Sequence, residues 1–255
     1  MSKIWSRIKK RGFTLVELLV VIAIIGILVS IVMPAITDAL TRGKLTQMAA
    51  NGRNLIQTIM SKQTEDIYTS SPIIWPETGG DNPEEGEFDS STSYFNWLIT
   101  NKVMNVNYNY FAGPGVPAAS TEKDFVGEGG RDEGYYTAWC FVGDVDSTTA
   151  ETMPVLFTKN LGKDQEDKSG QTYDQLKSDV FKSDDDMEEY FVGEPFQSKG
   201  FVFVSKGGSA VAPFKDDMRA QSFTNLFKVY YDQGDTDYMP VLRPNASDSG
   251  TGNKN

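Results

Sequence analysis

KRGFTLVELLVVIAIIGILVSIVMP, residues 10–34, is an apolar run with basic flanking residues and one misfit, the carboxylate of Glu17. From Phe13 to Met33 there are 21 residues, which as a helix rise about 32 Å and match a hydrocarbon core of roughly 30 Å. The run is long enough to span a bilayer. Residues 1–12 carry Lys3, Arg7, Lys9, Lys10 and Arg11 and no acid. Basic residues close to one end of a membrane helix stay in the cytoplasm, so everything after Pro34 is expected outside the inner membrane. A removable secretory signal needs a shorter apolar core and a small-residue cleavage site, which SIVMPAITDAL lacks. A plain single-pass anchor explains length and orientation. It does not explain Glu17, whose burial in lipid is unfavourable by up to about 3 kcal/mol.

Composition narrows the function classes. The 255-residue chain has no histidine, which removes the commonest general base and metal ligand and every Ser-His or Cys-His nucleophile arrangement. With Cys140 as its only cysteine it can form neither an intramolecular disulfide nor a thiolate zinc cluster, and within YYTAWCFV that residue reads as a small buried hydrophobe. Without the five basic residues of the first twelve, 19 basic side chains stand against 35 acidic ones, a formal charge of −16. Such a body repels DNA, and no nucleic-acid partner is expected.

The stretch KRGFTLVELLVVIAIIGIL resembles the class III signal of type IV pilins and type II secretion pseudopilins: a short basic leader ending in glycine, then phenylalanine, then an apolar helix with an acid at Glu17 and a following proline, Pro34. The resemblance covers about 25 residues. It implies cutting between Gly12 and Phe13 by a prepilin peptidase on the cytoplasmic side, and methylation of the new amine at Phe13. It further implies residence in the inner membrane, then assembly by an inner-membrane platform, with copies of itself or related pilins, into a periplasmic or extracellular filament. Cutting would create an ammonium at Phe13. Within one helix that amine and Glu17 would be i,i+4 neighbours and could pair locally. The family implication is that Glu17 instead meets the Phe13 amine of a neighbouring subunit and sets register, a role for which buried polar pairs are well attested. The rival reading is an uncut, membrane-anchored extracytoplasmic binding module; an enzyme is the most remote. The missing cysteine pair departs from the disulfide-closed loop of many major pilins and tilts the reading toward pseudopilins.

Beyond Pro34, which should remove one helical hydrogen bond and kink the rod, helical periodicity continues. Ala35, Ile36, Ala39, Leu40 and Gly43 share one side; Leu45, Met48, Ala49, Gly52, Leu55, Ile56, Ile59 and Met60 lie about 160° away at 100° per residue. Gln47, Asn51, Asn54, Thr58 and Ser61 then take the formerly apolar side. One helix is thus expected to face something outside the subunit first and its own body afterwards.

The predicted fold is α+β, pilin-like, a long amino-terminal helix packed on an antiparallel sheet. Its parts are a leader over 1–12, a membrane-spanning and polymerisation helix over 13–33, an amphipathic continuation over 34–66, an extracytoplasmic globular domain over 67–243 and a disordered tail over 244–255. Residues 67–90, rich in Pro, Gly and acids, read as a surface excursion. SSTSYFNWLITNK predicts a capped short helix presenting Tyr94, Trp97 and Leu98. NVNYNYF alternates from Asn105 as a strand would. YYTAWCFV, MPVLFT and GFVFVS are further strands, GFVFVSKGGSAVAPF a hairpin turning at Gly207-Gly208, and LFKVYY (226–231) a last strand. Trp75, Trp97, Trp139 and the Tyr135-Tyr136 pair read as core. Three acidic groups invite a calcium reading: Asp144 with Asp146; Asp184 to Asp186 with Glu188 and Glu189; and Asp232, Asp235 and Asp237. None follows the twelve-residue calcium loop, so solvated loops are the better reading and no cofactor is expected.

Overall fold

The computed structural model describes residues 13–66, 75–78, 87–127, 135–145, 149–160, 175–176, 191, 193–217 and 239–242. It divides into two compact units, Met1–Arg42 and Gly43–Asn255.

Helix α1 (Leu15–Asp66) contributes to both. In the first unit, none of the described residues is buried, and Leu15, Ile22, Ile27, Ile31 and Leu40 are each more than half exposed. The helix is long and apolar enough to cross a membrane. In the second unit, α1 buries Leu45, Met48, Leu55, Ile56 and Ile59, with Ala49 and Met60 packed at the margin and Gln47, Asn54 and Ser61 exposed. The face predicted from spacing is the face that is buried.

Seven shorter elements precede the last sheet strands: β1 (Glu77–Thr78), β2 (Glu87–Phe88), α2 (Ser91–Thr100), α3 (Glu122–Phe125), β3 (Trp139–Val142), β4 (Pro154–Thr158) and β5 (Gln175–Leu176). They are followed by β6 (Phe203–Ser205), β7 (Ala210–Val211) and β8 (Met239–Leu242). β1 and β2 pair in parallel; the other six strands form one sheet in the order β5-β8-β3-β4-β6-β7. Every pairing in that sheet is antiparallel. A slip of register between Pro154 and Leu156 marks a bulge in β4, at the strand start where a proline without N–H does least harm.

β3, β4 and β6 are buried at every position, on both faces. On one face Trp139, Leu156 and Val204 close around Gly52 of α1, where a Cβ would come within 2.8 Å of Trp139 Cη2 and of Val204 Cγ2. On the same face, the Phe141 ring lies 5.0 Å from that of Tyr94 and 6.3 Å from that of Phe95, both on α2. On the other face Phe203 stacks with Phe201, which stacks in turn on Phe191. The pattern is that of strands covered on both sides, whose composition reads as continuous apolar runs rather than alternation.

α2 begins as predicted. Ser90 accepts from the Ser93 N–H while the Ser93 hydroxyl accepts from the Ser90 N–H, a capping box at both ends. Tyr94, Phe95 and Leu98 are buried and Trp97 is partly so. The hairpin also forms: Ser205 N–H donates to the Ser209 carbonyl at 2.8 Å, and Gly208 takes the positive φ of +81° that the turn needs.

Three expectations are corrected. Tyr135, expected in the core, is 43% exposed. The stretch 105–111 is not a strand but leads into a 3₁₀ turn at Tyr108–Phe111. Its asparagines favour turns over strands, and its aromatics are claimed by three directions. Phe111 stacks on Phe95 at 4.6 Å, the Tyr108 hydroxyl donates to Asn96 Oδ1, and the Tyr110 hydroxyl donates to the Asn51 carbonyl of α1. Within 67–90, the described residues do not all lie at the surface, because Trp75 and Phe88 are buried in the core. The strand expected at 226–231 and the tail at 244–255 lie outside the described residues, and the last described strand is β8 instead.

The amino-terminal end of the long helix as candidate functional site

Gly12 lies outside the described residues; Phe13 is non-helical and 75% exposed. α1 begins at Leu15, two residues after Phe13. The described partner of Glu17 is Thr14. The Thr14 N–H donates to Glu17 Oε2 at 2.8 Å and the Thr14 hydroxyl donates to the same oxygen at 2.7 Å. In return, Thr14 Oγ1 accepts from the Glu17 N–H at 3.2 Å.

This is a capping box in which Thr14 is N-cap and Glu17 the third helical residue. It satisfies two amides that a helix start otherwise leaves without partners, and it places an acid at the positive end of the helix dipole. Both bonds to the carboxylate fall on Oε2. Among the described residues nothing donates to Oε1. Sequence reasoning singled out Glu17 and passed over Thr14, although a threonine three residues before an acid, ahead of an apolar run, is the signature of this motif.

Pro34 sits inside α1, 17 residues on from Glu17 and about 26 Å along the axis. It has no N–H, so the Ser30 carbonyl loses its usual donor. Hydroxyls on either side fold back on the helix itself: Ser30 to the Ile27 carbonyl at 2.8 Å, Thr37 to Met33 at 3.0 Å and Thr41 to Thr37 at 2.9 Å. This back-bonding satisfies the three hydroxyls within the helix itself.

Cys140 is fully buried in β3. Burial lowers the pKa of Lys159, opposed by Cys140 and Glu194. Lys206, nearly buried, donates to the Thr149 carbonyl at 2.7 Å and lies 3.6 Å from Glu151. Of the acidic groups weighed for calcium, only Asp144 is described, and no cluster of three potential ligands occurs among the described residues.

Residues 7–33 match the family model for the prokaryotic N-terminal methylation motif. The chain carries that methylation motif. Beyond it, the chain is 35% identical over 98 residues to the type IV major pilin protein PilE of Neisseria gonorrhoeae, covering 38% of this chain and 52% of the relative. It is 32% identical over 108 residues to PilE1 of the same organism, covering 39% and 47%. It is 38% identical over 69 residues to the fimbrial protein EcpC of Eikenella corrodens, covering 26% and 40%. The chain therefore spans about half the length or less of these curated relatives. No solved structure matches it. Thr14, Glu17 and the first turns of α1 all lie inside the methylation motif, and the architecture behind it, a long apolar helix followed by an antiparallel sheet, is pilin-like.

Proposed function

We propose that this chain is a non-enzymatic structural subunit of a type IV pilus. It is made as a prepilin with a cytoplasmic amino terminus, cut after Gly12 by a prepilin peptidase and methylated at the Phe13 amine. It waits in the inner membrane and is polymerised there by an assembly platform through the apolar first half of α1. Glu17 sets register by meeting the new amine of a neighbouring subunit. The observation that carries this reading is the methylation motif at 7–33, whose apolar helix is left uncovered from Leu15 to Leu40. The pilin and fimbrial names of the relatives favour a pilus. The type II secretion pseudopilus remains the second reading because the chain has one cysteine and so no disulfide-closed loop.

Each part has a direct test. Mass spectrometry of the native protein should find an amino terminus at methylated Phe13; an intact Met1 in cells that possess the peptidase would sink the reading in favour of a plain anchor. Glu17→Gln should leave insertion and cutting unchanged while filament yield collapses, since losing one partner of a buried charge pair costs about 3–5 kcal/mol. A plain anchor requires the reverse, because neutralising the acid eases its residence in lipid. Imaging cells with antibody to residues 67–243 separates long surface filaments from a short periplasmic pseudopilus.

A further inference from the structure

We infer that the exposed face of α1 over residues 43–61 is a docking surface for the acidic body of a second copy of this chain, with Lys44 and Arg53 as the cations that receive its carboxylates. The inference rests on the filament reading given above and names a face which that reading leaves unassigned.

Over this stretch the apolar side of the helix is buried in the subunit's own core. Gln47, Ala50, Asn54 and Ser61 follow one another along the opposite side, and all four are exposed. Lys44 and Arg53 are exposed too; nine positions apart, they lie about 180° from each other around the helix and about 14 Å along it, and so border that row on its two sides. Among the described residues neither makes an ion pair, and residues 43–61 contain no acid. The body behind has the opposite sign: residues 67–255 carry 15 basic side chains against 31 acidic ones, a formal charge of −16. Two copies that approach through such surfaces repel one another, whereas the α1 face offers the acids an uncharged row between two cations without partners. Complementary potentials of this kind fix which surfaces meet and at what angle. Exposed ion pairs are individually weak, so the face orients a copy that the apolar first half of α1 holds nearby and does not by itself dimerise a soluble fragment. Lipid is the other source of negative charge. On a helix leaving a bilayer, the headgroup layer is only roughly 5–8 Å deep on each side and meets one of these cations, whereas a globular body reaches both.

The test uses the full-length chain in its own cells and two readouts. In the first, sheared filaments are treated with a carbodiimide, which joins an amine directly to a carboxylate in contact with it, and the covalent dimer is digested and analysed by mass spectrometry. The dimer should contain Lys44 linked to a carboxylate from residues 67–255. Lys44→Arg, which keeps the charge and removes the amine, should lose that link and retain more filament than the charge-reversed variant. In the second, Lys44→Glu/Arg53→Glu should be cut and held in the membrane as the wild type is, melt at the same temperature in detergent, and give at least tenfold less filament. A wild-type dimer without the Lys44 link overturns the inference, and so does wild-type filament yield from the double variant. Loss of membrane retention in the double variant, with no Lys44 link in the wild type, assigns the cations to lipid headgroups and overturns it as well. If the double variant misfolds, the cross-link, read on unaltered protein, still decides. If wild-type chains are uncut and form no filament, the filament reading fails, and the same cross-link read on membranes decides the docking face separately.

Discussion

Two glycines of the same helix behave oppositely, and the contrast shows what a single position can report. Gly52 is pressed against the sheet, and its missing side chain is what lets Trp139, Leu156 and Val204 approach. Gly43 has nothing within 4 Å. Alanine in place of an interior helical glycine gains about 1 kcal/mol of intrinsic preference, and at Gly43 that gain is unopposed. At Gly52 the added methyl must push fully buried core side chains aside, which costs about 1–3 kcal/mol and outweighs the gain. Gly43→Ala should therefore raise the melting temperature of the detergent-solubilised protein, and Gly52→Ala should lower it. Shifts of equal sign would disprove the close helix–sheet approach. Of this, the sequence showed only that Gly52 sits on the apolar face between Met48 and Leu55; that its neighbours come from three strands is long-range information with no local trace. The Thr14–Glu17 box is the opposite case, since its spacing was plain in FTLVE and the acid was read for its charge alone.

At the scale of elements, legibility followed how far one pattern could be explained by one environment. The second half of α1 was readable because the apolar spacing from Leu45 to Met60 is long and matches the face that is buried. β3, β4 and β6 were readable as apolar runs, yet their burial on both faces was not, since a short continuous run does not say what covers it. NVNYNYF failed because alternation of two residue types counted as strand while asparagine argued for a turn. The division of labour along α1 gives a sharp truncation test. Deleting residues 1–40 removes only segments with no buried residue among those described and keeps Leu45, Met48, Leu55, Ile56 and Ile59, so the product should be soluble, monomeric and cooperatively folded. Deleting residues 1–62 strips those five side chains from the sheet, and the product should aggregate. Gel filtration and thermal melting compare the two; identical behaviour would rule out the second half of α1 as part of the core.

For the molecule as a whole, the absence of histidine leaves no imidazole to titrate near neutrality; among the described residues, the groups whose pKa burial displaces titrate on the alkaline side. Burial raises the pKa of Tyr94 well above the ordinary tyrosine value and that of Tyr110 less so; burial and then Glu122 raise Tyr108. Folded tyrosines thus keep protons that the unfolded chain releases above about pH 10, so their contribution is full below that pH and is lost as pH rises beyond it. Lys159, whose pKa is lowered by burial, has the opposite sign. Between its depressed value and the ordinary lysine value near 10.4, the unfolded chain binds more protons and stability rises with pH. Among the described residues three tyrosines stand against one lysine, which predicts a melting temperature of the residue 41–255 fragment that falls above about pH 10, and Tyr94→Phe should blunt the fall. An unchanged alkaline limb in that variant would remove Tyr94 as its main source. A different practical consequence follows from where the lone sulfur sits. Cys140 is sealed in the middle of β3 with no exposed surface, and a buried thiol in apolar surroundings is unreactive. Folding therefore owes nothing to the redox state of the medium, and a cysteine placed at an exposed position such as Asn105 would be the single thiol that a maleimide dye can reach. The native chain is thus already prepared for labelling at one chosen site, without first removing a background label.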